Sequence, residues 1–552
     1  MSDAGRAFGA LVREFYEVWF RFHPERAIEA GVSGFEGRLP AFDDDDVGAL
    51  TGWLETAIVE LEELDYAGLT PDECIDLRLL FGACHLEHRD LLEADWRHRD
   101  PVGFLPTTAI HQLIVFPQAQ LRGALESCLA AIPEHLRHAR AQLSTVPGLV
   151  PRLWVDAGVR GARQGIEYLT GLATNPLLRE HCRNPGEIRP LADQAGGALA
   201  DYARFLAQDL APEAQGDPAC DRTRFERRLS QRHFLPADVA ALERVARRTY
   251  ELTGAQLETL SASVTGKPNP AVWLAQLAIR APLTGAEQLD LARAQCEASR
   301  AFVERNSLFT MPEQWSDLRV MPSPGCVTPG GCAPDYVAPA FGDPRKAGAI
   351  YLNGLDTGLA SRLPAVLTGQ CMRRGWAGTH LQAIAAAEGP AAASLARRLN
   401  CSTTLSRGWP LYAEEMLHKA GFPCDPENRL ARLLEQRRRA LLALLDVEVH
   451  LGGLDPAEAV ERVASEPGVT TERALSDVLE LTRSPADALA GVAGWRALWS
   501  LRRQHERREP SSTLRAYHDR LLAGGPIALP LLAEQAFGRE AWDAALADLL
   551  ES

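Results

Sequence analysis

Apolar residues recur at three- and four-residue spacing over most of the chain, the stripe expected of helices with one buried face. The pattern predicts long helices over 46–64, 74–92, 237–260, 285–305, 426–451 and 485–504. One start is marked by chemistry as well as period. Thr70 is placed to cap, Pro71 to open the first turn and Glu73 to return a carboxylate to the cap, a capping box. Between 311 and 353 the helical period stops. Proline and glycine cluster there, as in Met321-Pro322-Ser323-Pro324-Gly325 and Thr328-Pro329-Gly330-Gly331, and short strand-like runs occupy 336–338 and 349–352. The expected fold is therefore mainly α and two-lobed: an N-terminal helical lobe over 1–305, a small β-rich segment over 306–354 bordering a central cleft, and a C-terminal helical lobe over 355–552. The polar stretch 212–217 lacks any apolar period and reads as a linker within the first lobe. No fixed-period repeat points to a solenoid.

Composition narrows the class. The 552 residues are 46% hydrophobic and 24% charged with a net charge of −15, values of a globular chain that repels phosphate backbones, so no nucleic-acid partner is expected. No run of about 18 apolar residues is present, so no membrane partner is expected either. The first residues lack a basic, apolar and small-residue succession, and eleven scattered cysteines form no CxxC pair; both readings point to a reducing cytoplasm. Nothing in the chain speaks to oligomeric state.

Two segments carry a resemblance. Gly375-Trp376-Ala377-Gly378-Thr379-His380-Leu381-Gln382 is followed by Arg407-Gly408-Trp409-Pro410-Leu411-Tyr412-Ala413-Glu414. Together they resemble the paired signatures of the bacterial family catalogued as domain of unknown function 885, H-E-A-x-P-G-H-H-L-Q and E-G-W-A-L-Y-A-E. Residues 23–27, 76–100, 318–324, 336–353, 446–450 and 515–522 resemble further segments of that family in the same order. The resemblance implies a helical fold similar to Taq-type metallocarboxypeptidases and neurolysin-like peptidases. It also implies a zinc ion held by imidazoles and carboxylates, with a glutamate taking the proton of the bound water.

The departures from that pattern decide the chemistry. Arg373 and Arg374 stand where the family has His-Glu, Thr379 where it has the first His of the doublet, and Arg407 where it has the Glu of E-G-W. Guanidinium groups do not deprotonate to bind metal and repel it at short range, so one surviving imidazole, His380, makes no zinc site, and neither metal nor other cofactor is expected. Leu481, Asp487 and Gly491 replace a Tyr, a Gln and a second Tyr, which removes donors an oxyanion would use. Gly378, Leu381, Gln382, Gly408, Trp409, Leu411 and Tyr412 keep the scaffold.

Three readings follow. In the first, Arg373, Arg374 and Arg407, with Gln382, line a cleft that binds the carboxylate or phosphate of a small acidic molecule or peptide; the competing view pairs these arginines with Glu414, Glu415 or Asp446. In the second, a metal-independent enzyme of specialised metabolism performs acyl transfer, cyclisation or a related reaction. Its nucleophile is Cys326, Cys332 or Cys371 and its base His380, His450 or Glu414, with Tyr412 a further candidate; cysteine as a small buried apolar residue is the simpler view. In the third, a hydrolase uses an unrecognised ligand set drawn from Cys326, Cys332, Cys371, His380 or His418. Tyr412 and Trp409 have apolar helical neighbours and also suit plain core packing, while His450, His518 and Asp519 suit buried hydrogen bonds equally well.

Overall fold

The computed structural model describes residues 2–116, 120–311, 318–324, 335–339, 341, 347–353, 362–423 and 425–551. The described residues are mainly helical and include one three-stranded sheet. The helices expected from periodicity are present with closely similar bounds, among them Asp44–Glu62, Pro71–Glu93, Val239–Thr265, Gly285–Arg305, Pro426–Leu451 and Asp487–Arg508. The capping box forms as its residues dictate: Thr70 N–H donates to Glu73 Oε2 at 2.8 Å and Glu73 N–H donates to Thr70 Oγ1 at 3.3 Å. A second box, Thr284 with Glu287, opens Gly285–Arg305 in the same way.

The described residues divide into two compact units, one built on the chain up to Pro218 and the other on Ala219 onward, with short pieces of the 323–344 stretch joining the first. The division comes directly after the polar 212–217 stretch. The 306–354 segment, expected as a boundary between lobes, contributes its strands to the second unit.

In the sheet, β1 (Leu318–Pro322) runs parallel to β3 (Gly348–Leu352), and β2 (Tyr336–Val337) runs antiparallel to it on the other side. β3 is central and buried along its whole length, which suits its unbroken apolar run Ala349-Ile350-Tyr351-Leu352. Val320, Ile350 and Leu352 pack on Ala292, Cys296, Leu367 and Cys371. The sheet thus seats the Pro364–Arg374 helix, whose last turn carries Arg373 and Arg374.

That helix ends at a turn only glycine permits. A Cβ on Gly378 would lie 1.9 Å from the Arg373 carbonyl oxygen, so the backbone folds back tightly and starts Thr379–Glu388 with His380 and Gln382 on its first turn. A similar constraint sets the close approach of Thr403–Ser406 and Gly408–Lys419 to Asp487–Arg508. A Cβ on Gly408 would sit 2.7 Å from the Trp495 amide, and one on Gly494 would sit 1.9 Å from the Thr404 carbonyl. Gly494→Ala should therefore lower the unfolding free energy of the protein by about 3 kcal/mol or more, because backbone and not a movable side chain must yield. Denaturant unfolding measures this, and a loss under about 1 kcal/mol would mean that the helices do not cross so closely.

Candidate functional site

The four substituted positions sit on neighbouring elements of the second unit, and each arginine meets an acid. Arg373 Nη1 donates to Glu414 Oε1 at 2.8 Å, joining Pro364–Arg374 to Gly408–Lys419. Glu414 is wholly buried. Burial lifts its carboxyl above the ordinary range, and the Arg373 cation pulls against that lift. Gly369 makes room for the pair, since a Cβ there would meet Glu414 Oε1 at 2.7 Å and Arg373 Nη1 at 3.0 Å. Arg374 Nε donates to Asp335 Oδ2 at 3.0 Å, and its Nη1 to Thr379 Oγ1 at 3.2 Å. Arg407 Nη2 donates to Glu480 Oε1 at 2.6 Å and lies 3.9 Å from Asp487.

Three further arginines extend this web. Glu435 accepts from both Arg438 and Arg439, the latter through Nε at 2.8 Å, and Asp477 accepts from Arg438 and from Arg473 Nε at 3.1 Å. Burial alone would raise the Glu435 carboxyl; Arg438, Arg439, Arg373 and Arg473 outweigh it and hold it well below its usual range. For Arg439 the balance goes the other way. Burial, with Arg438 and Arg473 nearby, weakens its cation in spite of Glu435. Its Nε is engaged, and its guanidinium lines a small cavity of about 20 Å³ together with Arg407, Leu411, Leu442 and Gly491. Sequence reasoning missed Arg438, Arg439, Glu435 and Asp335, which belong to no motif, and gave no role to Asp477, the first residue of the segment that holds Leu481, Asp487 and Gly491. The signal available was a dense run, Glu435-Gln436-Arg437-Arg438-Arg439, on a helix whose apolar stripe left it no fully solvated face.

Other expected residues go elsewhere. His380 is fully buried against the sheet: its Nδ1 meets Tyr336 Oη at 2.9 Å and the Trp376 ring stands edge-on at 4.3 Å. Burial pushes its imidazole down to about 3. His450 accepts the Cys220 N–H at Nδ1 and donates from Nε2 to the Leu481 carbonyl, each at 3.2 Å, so both ring nitrogens are occupied. Tyr412 Oη donates to His518 Nε2 at 2.8 Å, and His518 Nδ1 donates to the Leu308 carbonyl at 2.9 Å. The Cys371 thiol donates to the Ala292 carbonyl at 3.3 Å, and its neighbour Cys296 together with burial pushes it far above the ordinary thiol range. Cys326 and Cys332 lie outside the described residues.

Glu415 accepts from the indoles of Trp495 and Trp499 and from Lys419, not from the arginines. Asp446 accepts the N–H groups of Ala486, Ala488 and Leu489 and so caps the Asp487–Arg508 helix; burial pushes its carboxyl up to about 7. Gln382 Oε1 and Glu414 Oε2 are buried acceptors with no hydrogen-bond partner among the described residues. A further array went unforeseen: His233 Nδ1 accepts from Ser402 Oγ at 2.9 Å and Nε2 donates to Asp487 Oδ1 at 3.1 Å. It has the order of a hydrolase triad, but all three side chains are sealed from solvent, and Ser402 caps Thr403–Ser406. It serves as a structural tie.

The zinc ligand set implied by the resemblance does not fit these positions. Guanidinium nitrogens offer a metal no lone pair, those of Arg373, Arg374 and Arg407 are taken up by carboxylates, and His380 is turned to Tyr336. Among the described residues no group of three His, Cys, Asp or Glu is placed to hold a metal ion.

Residues 24–535 match the family described as "Bacterial protein of unknown function (DUF885)". The chain belongs to the DUF885 family. Among solved structures, this DUF885 chain is similar to a "putative lipoprotein of unknown function" from Shewanella oneidensis, at 16% identity and TM-score 0.72, covering 96% of this chain and 99% of that one. It is also similar to a "putative lipoprotein" from Colwellia psychrerythraea, at 14% identity and TM-score 0.79, covering 99% and 100%. At these identities the likeness shows the fold alone. No curated protein matches. No described helix is long and apolar enough to cross a membrane.

His380 and His518 are both held at about 3 by burial, so the folded protein binds fewer protons there than the unfolded chain. Their contribution to stability is complete above about pH 6.5 and drains away as pH falls toward 3. Imidazole NMR signals of His380 should stay flat between pH 5 and 8; a titration midpoint inside that window would show that the ring is solvated and available as a base.

Proposed function

We propose that this DUF885 chain has the metallocarboxypeptidase-like or neurolysin-like helical fold of the family resemblance. In it, the zinc site has given way to an arginine-lined site for the carboxylate or phosphate of a small acidic molecule or peptide. The observation that carries the reading is the weakened cation of Arg439, which must share Glu435 with Arg438. Around it, Arg373 pairs with Glu414, Arg374 with Asp335, Arg407 with Glu480, and Arg438 and the half-exposed Arg473 with Asp477. Arg439 is the member left short, because Glu435 is already forked by Arg438. It borders the small cavity with Arg407, where Gly491 replaces the bulk of a tyrosine. That space suits one terminal carboxylate or phosphate oxygen, and an anion there would relieve the repulsion that Arg438 and Arg473 exert on Arg439.

One observation favours the second reading, a metal-independent enzyme. Glu414 has its carboxyl lifted by burial and one oxygen free of hydrogen bonds, the condition of a group able to hold or deliver a proton. Cys371, fixed on a carbonyl and protonated, is poorly placed as its nucleophile. A cytoplasmic location is also part of this proposal. The eight described cysteines are free thiols, which suits a reducing compartment, while the two fold neighbours are each named a putative lipoprotein.

Thermal unfolding of the full chain in rising succinate tests the site. Tm should climb with succinate in the wild type and in Arg179→Gln, and stay fixed in Arg439→Gln. An equal climb in Arg439→Gln, or none in the wild type, would refute the assignment.

A further inference from the structure

The first unit holds a larger concavity that has no part in the site above. A groove of about 450 Å³ runs along the Arg152–Thr170 helix opposite the segment Leu206–Leu210, within the size range of small-molecule sites. The opposite wall is a π-turn: Ala211 N–H donates to the Leu206 carbonyl five residues back, at 2.9 Å. Such widened turns are uncommon in helices and recur at functional sites. The two walls are tied together. Arg152 Nη1 donates to the Ala211 carbonyl at 3.1 Å, while its Nε holds Asp156 at 3.1 Å, so this arginine and this acid are spent on building the groove.

Arg160 and Arg163 are not spent. They line the groove one turn apart on the same helix face, and neither makes an ion pair or a hydrogen bond among the described residues. Asp156, four residues before Arg160, is held by Arg152, and Glu167 lies C-terminal to Arg163 at four residues, the weaker order for a helical pair, and is unpaired among the described residues. Val159, Ala207 and Ala211 give the groove an apolar floor. In a chain of net charge −15, these two adjacent, exposed guanidiniums over a formed hollow are open to an anionic group.

The geometry points to a binding site for a small organic phosphate, its phosphoryl group bridging Arg160 and Arg163. One carboxylate is satisfied by a single guanidinium fork, whereas a phosphate monoester carries close to two negative charges and three terminal oxygens, enough for two forks at once. Gln164 and Glu167, further along the same wall, meet the hydroxyl or amino groups of the organic part, and the alanines and Val159 meet its carbon face. This site is independent of the arginine web of the second unit.

Isothermal titration of the full chain with ribose 5-phosphate, and separately with ribose, tests the site. Wild type should bind the phosphate and not the free sugar, with affinity falling as sodium chloride is raised. The exposed double variant Arg160→Gln/Arg163→Gln should bind on the order of a hundredfold more weakly, as the loss of two charge-assisted contacts implies, with an unchanged circular dichroism spectrum. Arg439→Gln should bind as the wild type does. The inference is overturned if ribose binds equally, if no phosphate binding is seen, or if binding survives the double variant and vanishes in Arg439→Gln.

Discussion

The second unit is organised around guanidinium–carboxylate pairs that have been taken out of water. Arg373 reaches from the end of one helix to the buried Glu414 of another, and Glu435 and Asp477 bind Arg438, Arg439 and Arg473 on two more. Desolvating such groups is expensive, and the cost is offset only when each charge has a well-placed partner. Pro364–Arg374, Gly408–Lys419, Pro426–Leu451 and Thr471–Arg483 are therefore held to one arrangement by charge as well as by packing. The glycines at 369, 378, 408 and 494 supply the close approach that this arrangement needs.

Much of this was legible in the sequence, for physical reasons that can be named. The 426–451 helix shows a complete apolar stripe and a Pro at its first turn, and Thr70 and Glu73 advertise a capping box whose chemistry leaves little choice. Strand β3 is an uninterrupted apolar run because both its faces are covered. The family pattern grouped Arg373, Arg374, Thr379 and Arg407 in one region, but of these only Arg407 lines the small cavity there. What stayed hidden was which acid each arginine would choose. Asp335 stands beside a strand of two residues in a proline- and glycine-rich stretch, and Glu480 lies on a helix remote in sequence, so neither spacing nor period could pair them with Arg374 and Arg407. Glu415 looked like a partner by adjacency, but a helix turns it 100° away from Glu414, toward two indoles.

The residues of the family-like segments divide along the same line. Trp409, Tyr412 and His518 pack and hydrogen-bond as framework, and Gly378 and Gly408 hold backbone distances. The arginines, by contrast, carry the charge of the region. The small hollow beside Gly491 is lined by two of them, Arg407 and Arg439.

A double-mutant cycle on Arg373 and Glu414 tests most directly whether this buried pairing holds the region together. Arg373→Met alone should cost about 3 kcal/mol or more, because it strands the Glu414 charge. Adding Glu414→Gln should restore much of that loss, giving a coupling energy of about 2 kcal/mol. Two single-variant costs that simply add, within about 0.5 kcal/mol, would contradict the account.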